Sequence, residues 1–287
     1  MTPTQFSTFL RMQGYRVIET EICCWYNYRP LVFMSVPYHR ALLPSREQLA
    51  RVLFGGPSLA VRFPTTLEKS SRQAGSFICT NRNYDLASLH KKARNQARRG
   101  LESCTVKQID FAQLAQHGYE LHADTYRRQG KDLQSLSLTK WHRFCEIAGK
   151  TSDFEAWGAW VGEHLAAVAV TALVEDSLHI YYQSSATEYL KFYPNNALTF
   201  LLTKQKISCS NITSVCYGVK SLTRPSLDDY KVGMGFEVMR FGERIVFNPL
   251  VQPILALGGT KIIRWIARRQ PEGPWGRASL ILEQCGR

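Results

Sequence analysis

The fold is decided by residues 157–207, WGAWVGEHLAAVAVTALVEDSLHIYYQSSATEYLKFYPNNALTFLLTKQKI. Apolar and β-branched residues dominate three runs, which predicts strands over 154–161, 165–174 and 178–184. Gly162–His164 and Glu175–Ser177 are short enough to be tight turns, so the three strands pair antiparallel. The third strand ends in polar residues, Gln183 and Ser184. Pro194 then suits the first turn of a helix running to about Ser208, because its missing N–H is one the helix would leave unpaired anyway.

Working outward from this stretch, 101–109 reads as a strand, and helices follow over 111–128 and 139–148, the second with Thr139 at its N-cap. Beyond the quoted segment, 212–218 is a strand, 225–232 a short helix and 236–246 a strand. Toward the N-terminus, 16–25 and 31–38 read as a hairpin. Ser45 followed by Gln48 is a capping-box pattern opening a helix that ends at Gly55-Gly56. Short strands follow over 58–63 and 76–80, with a loop over 70–75. Between them and the strand at 101, Leu86, Leu89, Ala93 and Ala97 form one helical stripe, with Gly100 placed as a C′ glycine. The order of elements from residue 101 onward gives an α/β (α+β mixed sheet) fold, in which ligands bind where neighbouring strands splay apart near a helix N-terminus.

The chain has 287 residues and a formal charge of +13, with 45% hydrophobic residues, which is ordinary for a folded protein with a sizeable core. The charge is uneven. Residues 82–107 carry seven bases and two acids, and residues 249–287 carry six bases and two acids. In the first patch Lys91, Arg94 and Arg98 fall on one helical stripe suited to a phosphate-bearing ligand. In the second, Lys261, Arg264, Arg268 and Arg269 surround Ile262, Ile263, Trp265 and Ile266, the pattern of a helix lying on an anionic membrane or packing on the domain. Two patches favour a defined anionic site or surface over uniform coating of nucleic acid.

Several classes are excluded. The longest apolar stretch, Leu165–Val174, is half the about 20 residues a membrane-spanning helix needs. No charged n-region precedes an apolar run at the N-terminus, which points to a cytoplasmic protein, peripherally membrane-bound in the alternative. The eight cysteines form no Cys-x-x-Cys pair and read as reduced core thiols, and the seven histidines show no metal-binding spacing, so no metal is expected. There is no Gly-x-Ser-x-Gly, and Gly258-Gly259-Thr260-Lys261 is not a phosphate loop, because the lysine follows the threonine.

Three stretches carry a family resemblance. They are DLASLHKKARNQARRGLE at 85–102, the quoted segment 157–207, and SLDDYKVGMGFEVMRFG at 226–242. In their order they resemble the GNAT superfamily of N-acyltransferases, and more closely its FemAB-like branch, in which two GNAT halves are fused. The resemblance covers roughly residues 15–250. It implies the GNAT-like acyl-CoA N-acyltransferase fold with an N-terminal half at 1–100, an acyltransferase half at 101–250 and a basic amphipathic segment and tail at 251–287. It also implies direct attack of an amine on an acyl or aminoacyl ester, with acyl-CoA or aminoacyl-tRNA as donor. The acceptor would be a small-molecule, cell-wall or lipid-linked amine, with tRNA as a further partner and peripheral membrane contact through residues 249–269.

By the same resemblance Lys231 matches the family's aromatic-Lys-x-x-x-Gly-Phe element and would stabilise the oxyanion, with Tyr230 beside it. Backbone N–H groups near Gln183–Ser184 would add donors. Tyr181, Gln183, Ser184, Asn195, Asn196 and Tyr217 are the substrate-binding candidates, Tyr181 and Gln183 sharing one strand face. The loop Ala186–Asn196 contains no glycine, so Lys191, Asn195 and Asn196 would meet an anion at the helix N-terminus in place of a glycine-rich phosphate loop. Lys91, Arg94 and Arg98 are the anion-binding candidates. The other reading is a degenerate GNAT-like module that binds an anionic ligand, nucleic acid or a membrane surface without catalysis.

Overall fold

A computed structural model describes residues 1–250 except Pro30, His39, Asp132, Gln134, Ser135 and 221–224. The basic segment 251–269 and the tail, with the membrane contact expected there, lie outside the described residues. The elements in chain order are α1 (Pro3–Met12), β1 (Val17–Glu19), β2 (Cys24–Arg29), β3 (Val32–Val36), α2 (Arg46–Phe54), β4 (Ala60–Thr65) and β5 (Arg72–Cys79). They continue with α3 (Lys91–Ser103), β6 (Thr105–Ile109), α4 (Phe111–Arg128), α5 (Leu138–Gly149), β7 (Phe154–Val161), β8 (His164–Val174) and β9 (Ser177–Ser185). The last are α6 (Pro194–Ile207), β10 (Ser214–Val219), α7 (Pro225–Gly233) and β11 (Glu237–Phe247). The fold is mixed α/β. The chain divides into two compact units, one of residues 1–2 and 75–239, the other of 3–74 and 240–287.

In the smaller unit the strand order is β1-β2-β3-β4-β11, with β3 and β4 parallel and the other neighbours antiparallel. Trp25, Phe33, Val61 and Phe63 alternate onto one face and pack with Val52 and Leu53 of α2. Ser45 caps α2 and its side chain and that of Gln48 complete the capping box. The sequence pattern did not announce α1, whose apolar face buries Phe6, Phe9 and Leu10. Residues 72–75, expected as loop, extend β5. Glu243 on β11 is fully buried, and its carboxylate accepts from Arg62, Arg72 and the hydroxyl of Tyr38. One carboxylate therefore gathers Tyr38, Arg62 and Arg72 of this unit by charge-assisted bonds.

In the larger unit the order is β5-β10-β9-β8-β7-β6. Strands β9 and β10 are parallel and the remaining pairs antiparallel. Helix α6 is buried nearly all round, because the small residues Ala159, Ala167 and Ala169 let it settle onto β7 and β8. Helices α4 and α5 pack against the sheet through β7, β8 and β9. Gly100, expected to end its helix, lies inside α3 and is buried. A Cβ there would stand 2.7 Å from the carbonyl oxygen of Tyr193 and 3.1 Å from the Cβ of Ala197. The glycine is thus a close-approach residue between α3 and α6, and the helix runs three residues beyond it. The first turn expected of that helix is instead a separate 3-10 turn, Leu86–Ser88, capped by Asp85.

Two expectations follow. Glu243→Ala leaves two guanidiniums without their counter-charge and should cost about 3–5 kcal/mol in chemical denaturation of the full chain. Gly100→Ala forces α3 and α6 apart and should cost about 1–3 kcal/mol in the same measurement.

Candidate functional site

Parallel strands β9 and β10 share three register pairs, ending at His179 and Cys216. Just beyond that point each strand carries a bulge. On β9, Tyr181 is the extra residue between Ile180 and Tyr182, which face Thr171 and Val170 of β8. On β10, Tyr217 and Gly218 together stand opposite the single position of Phe77 on β5, and Gly218 has φ +67°. A bulge bends its strand and increases the local twist, so two of them at one level drive the strands apart.

The β9 bulge also resets which residues share a face. Tyr181 and Tyr182 both reach Phe144 of α5, with ring centroids 5.9 and 5.1 Å away. Gln183 points to the opposite side, toward α6. The expected common face of Tyr181 and Gln183 is therefore not observed, because alternation assumes a strand without an inserted residue. Ser184 turns to α4, where its hydroxyl meets Nδ1 of His122 at 3.0 Å.

The gap is lined by a polar network. Gln183 Nε2 donates to Asn195 Oδ1 at 3.2 Å and to Thr199 Oγ1 at 3.0 Å, while Gln183 Oε1 accepts from the hydroxyl of Tyr217. Tyr230 donates to the backbone oxygen of Asn195 at 3.0 Å and lies 3.0 Å from Thr199 Oγ1. Asn195 Nδ2 donates to Ser185 Oγ at 2.8 Å, and Arg128 Nη2 donates to the same oxygen at 3.0 Å. Burial pushes the Tyr230 phenol up to about 12 and the Tyr217 phenol well above its usual range, so both are neutral donors at physiological pH. The N–H of Ser185 is taken by Thr125 Oγ1 at 2.9 Å.

Lys231 of α7 closes the gap from the β10 side. It is only 5% exposed, and its ammonium lies 4.7 Å from the ring centroid of Phe77 and 5.1 Å from that of Tyr217. Among the described residues this ammonium makes no hydrogen bond. Burial pulls its basicity below that of an ordinary lysine, and the charge of Asp228 one turn earlier partly opposes the shift. A Cβ on Gly218 would sit 3.8 Å from Nζ, an ordinary contact, so it is the φ of +67° and not the lysine that calls for glycine there. A desolvated cation beside a gap can stabilise a developing negative charge far better than a hydrated one.

The structure thus brings together Gln183, Asn195, Tyr217, Tyr230 and Lys231. It places the other candidates elsewhere. Asn196 is buried and donates to Gln96 at 3.4 Å and to the Met234 sulfur at 3.5 Å. Lys91 and Arg98 are exposed on α3, whereas Arg94 turns back to donate to the carbonyls of Ala87 and Leu89 at 3.2 and 3.0 Å. Lys191 is exposed with its ammonium 5.1 Å from the Phe192 ring centroid. Sequence reasoning missed Thr199 and Phe77, which carry no charge and sit in apolar runs. Position i+4 from Asn195 on the same helix was the signal for Thr199. Among the described residues no group of three or more His, Cys, Asp or Glu could hold a metal ion, and no helix is long and apolar enough to cross a membrane.

The sequence matches no family model and no curated protein. Solved structures do match. FemX superposes with a TM-score of 0.61 at 12% identity, over 88% of this chain and 93% of its own. The structure of L-PGS from Bacillus licheniformis gives 0.56 at 13% identity, over 89% and 95%. The C-terminal domain of a putative lysylphosphatidylglycerol synthetase from Agrobacterium fabrum gives 0.56 at 10% identity, over 90% and 91%. The chain accordingly has the mixed α/β fold of FemX and L-PGS over most of its length.

His122, beneath the site, offers a check on its packing. It stacks on Trp141 at 5.4 Å, and burial, followed by the charge of Lys131, lowers its pKa to about 4. The unfolded chain therefore binds a proton that the folded one refuses, so stability is full above about pH 6.5 and declines toward pH 4. His122→Gln should remove roughly 2–3 kcal/mol of that decline, read by urea unfolding across the pH range.

Proposed function

We propose that the protein is an N-acyltransferase in which an amine acceptor attacks an acyl or aminoacyl ester in the gap between β9 and β10. The observation that carries this reading is Lys231, a buried ammonium without a hydrogen bond among the described residues, held over the rings of Phe77 and Tyr217 where the strands part. Leaving a charge in such a place costs folding free energy. Oxyanion stabilisation gives it a use, since a tetrahedral intermediate beside Nζ would meet a charge that its largely apolar surroundings screen less than bulk water would. Tyr230 serves as a neutral hydrogen-bond donor that fixes the first turn of α6 through the carbonyl of Asn195.

The fold supports the reaction class, and lysylphosphatidylglycerol in the name of one neighbouring structure favours an aminoacyl donor and a lipid-linked acceptor, whose nucleophile here is taken to be an amine. The glycine-free loop before α6 favours aminoacyl-tRNA over acyl-CoA, because side chains at every position keep its backbone N–H groups from closing around a pyrophosphate as a glycine-rich loop does. The exposed Lys91 and Arg98 of α3 would contact phosphates of such a donor.

Lys231→Met separates use from cost. It should lower transfer of labelled acyl or aminoacyl groups at least about 100-fold. The melting temperature of the full chain should rise by about 2–4 °C, as expected when an apolar residue replaces a buried charge worth about 1 kcal/mol. Full transfer by this variant would remove Lys231 from the mechanism.

A further inference from the structure

The carboxamide of Gln183 has both its arms engaged. Nε2 donates to Asn195 Oδ1 and Thr199 Oγ1, and Oε1 accepts from Tyr217. The last of these bonds runs from β9 to β10 beyond the point where their backbones stop pairing, so it ties the two strands across the gap. Tyr217 stands in the β10 bulge, where two residues oppose one and the backbone hold on its ring is weakest. Its ring otherwise meets Phe236 at 5.5 Å and Tyr230 at 6.3 Å, and it carries the face that Lys231 occupies.

We propose that Gln183 is a positioning residue, which through its hydrogen bond to Tyr217 fixes the ring face against which Lys231 is held, and does not itself touch substrate. The inference rests on Lys231 as the working cation of the proposed transfer. Asn195, Thr199 and Tyr230 anchor the amide in turn, so its oxygen is aimed at β10 rather than turned into the gap. An amide with both ends committed has little left to offer a ligand. A ring freed from this tie could swing, and the ammonium would be more fully hydrated.

The test reads Lys231 directly and needs no substrate. The 13Cε resonance of Lys231 in the lysine-labelled full chain, assigned by its loss in Lys231→Met, is titrated with pH in wild type, Gln183→Leu, Tyr217→Phe and the double variant. Each single variant should raise the titration midpoint by about half a pH unit or more, as hydration of a buried lysine does. The double variant should shift it no further than the larger single, because both remove the Gln183–Tyr217 bond. An unmoved midpoint in folded variants, or shifts that add, would overturn the proposal. Should Gln183→Leu fail to fold, Tyr217→Phe decides alone, since it removes one oxygen and keeps the ring. In a transfer assay both variants should lower kcat with KM within about two-fold of wild type; a raised KM with unchanged kcat would show that Gln183 binds substrate and would also overturn it. Absence of any transfer would sink the proposed reaction while leaving the titration readable.

Discussion

Parallel β9 and β10 stay paired for three residues, and the candidate site follows from where they stop. Backbone groups that leave a ladder inside a protein must find other partners or water. Here the space between the strands is filled by long side chains from both of them and from α6 and α7: Gln183, Tyr217, Thr199, Tyr230 and Lys231. The two bulges set the level at which the gap opens, and Gly218 supplies the left-handed backbone that one of them uses. Without the bulges, regular alternation would carry Tyr182 to the face that Gln183 now occupies or leave the strands paired to their ends.

Much of the fold was legible because its strongest signals are local. The helix over Phe111–Arg128 and the strand over Phe154–Val161 are where their periodicity put them, and the Ser45–Gln48 box forms as written. The failures were non-local. Gly100 looked like a helix stop because glycine is common there, whereas its actual constraint is the carbonyl of Tyr193 some ninety residues away. Residues 72–75 looked like a loop because strand pairing, not composition, makes them extended.

The site was half legible for the same reason. A lysine after tyrosine in a motif resembling a known family, and polar residues at the end of a strand, marked Lys231, Tyr230 and Gln183. Nothing in a single chain marks a bulge, so Tyr181 and Gln183 were assigned to one face. Arg94 shows the complementary limit: its spacing on α3 matches Lys91 and Arg98, yet its guanidinium is committed to carbonyls of the preceding turn. Charge pattern tells where a side chain starts, and only the backbone around it tells where the side chain ends.

The hydroxyls of Tyr217, Thr199 and Tyr230 line up as though they formed a path for protons. Two carboxamides brace it. Gln183 bonds to Tyr217 and Thr199, the Tyr217 hydroxyl also meets Thr199, and Asn195 ties the cluster to Ser185. The assembly is cross-linked like a strut, with each hydroxyl held in a fixed direction. For the proposed transfer, a proton that leaves the attacking amine on the departing group or by way of solvent needs no relay from these residues.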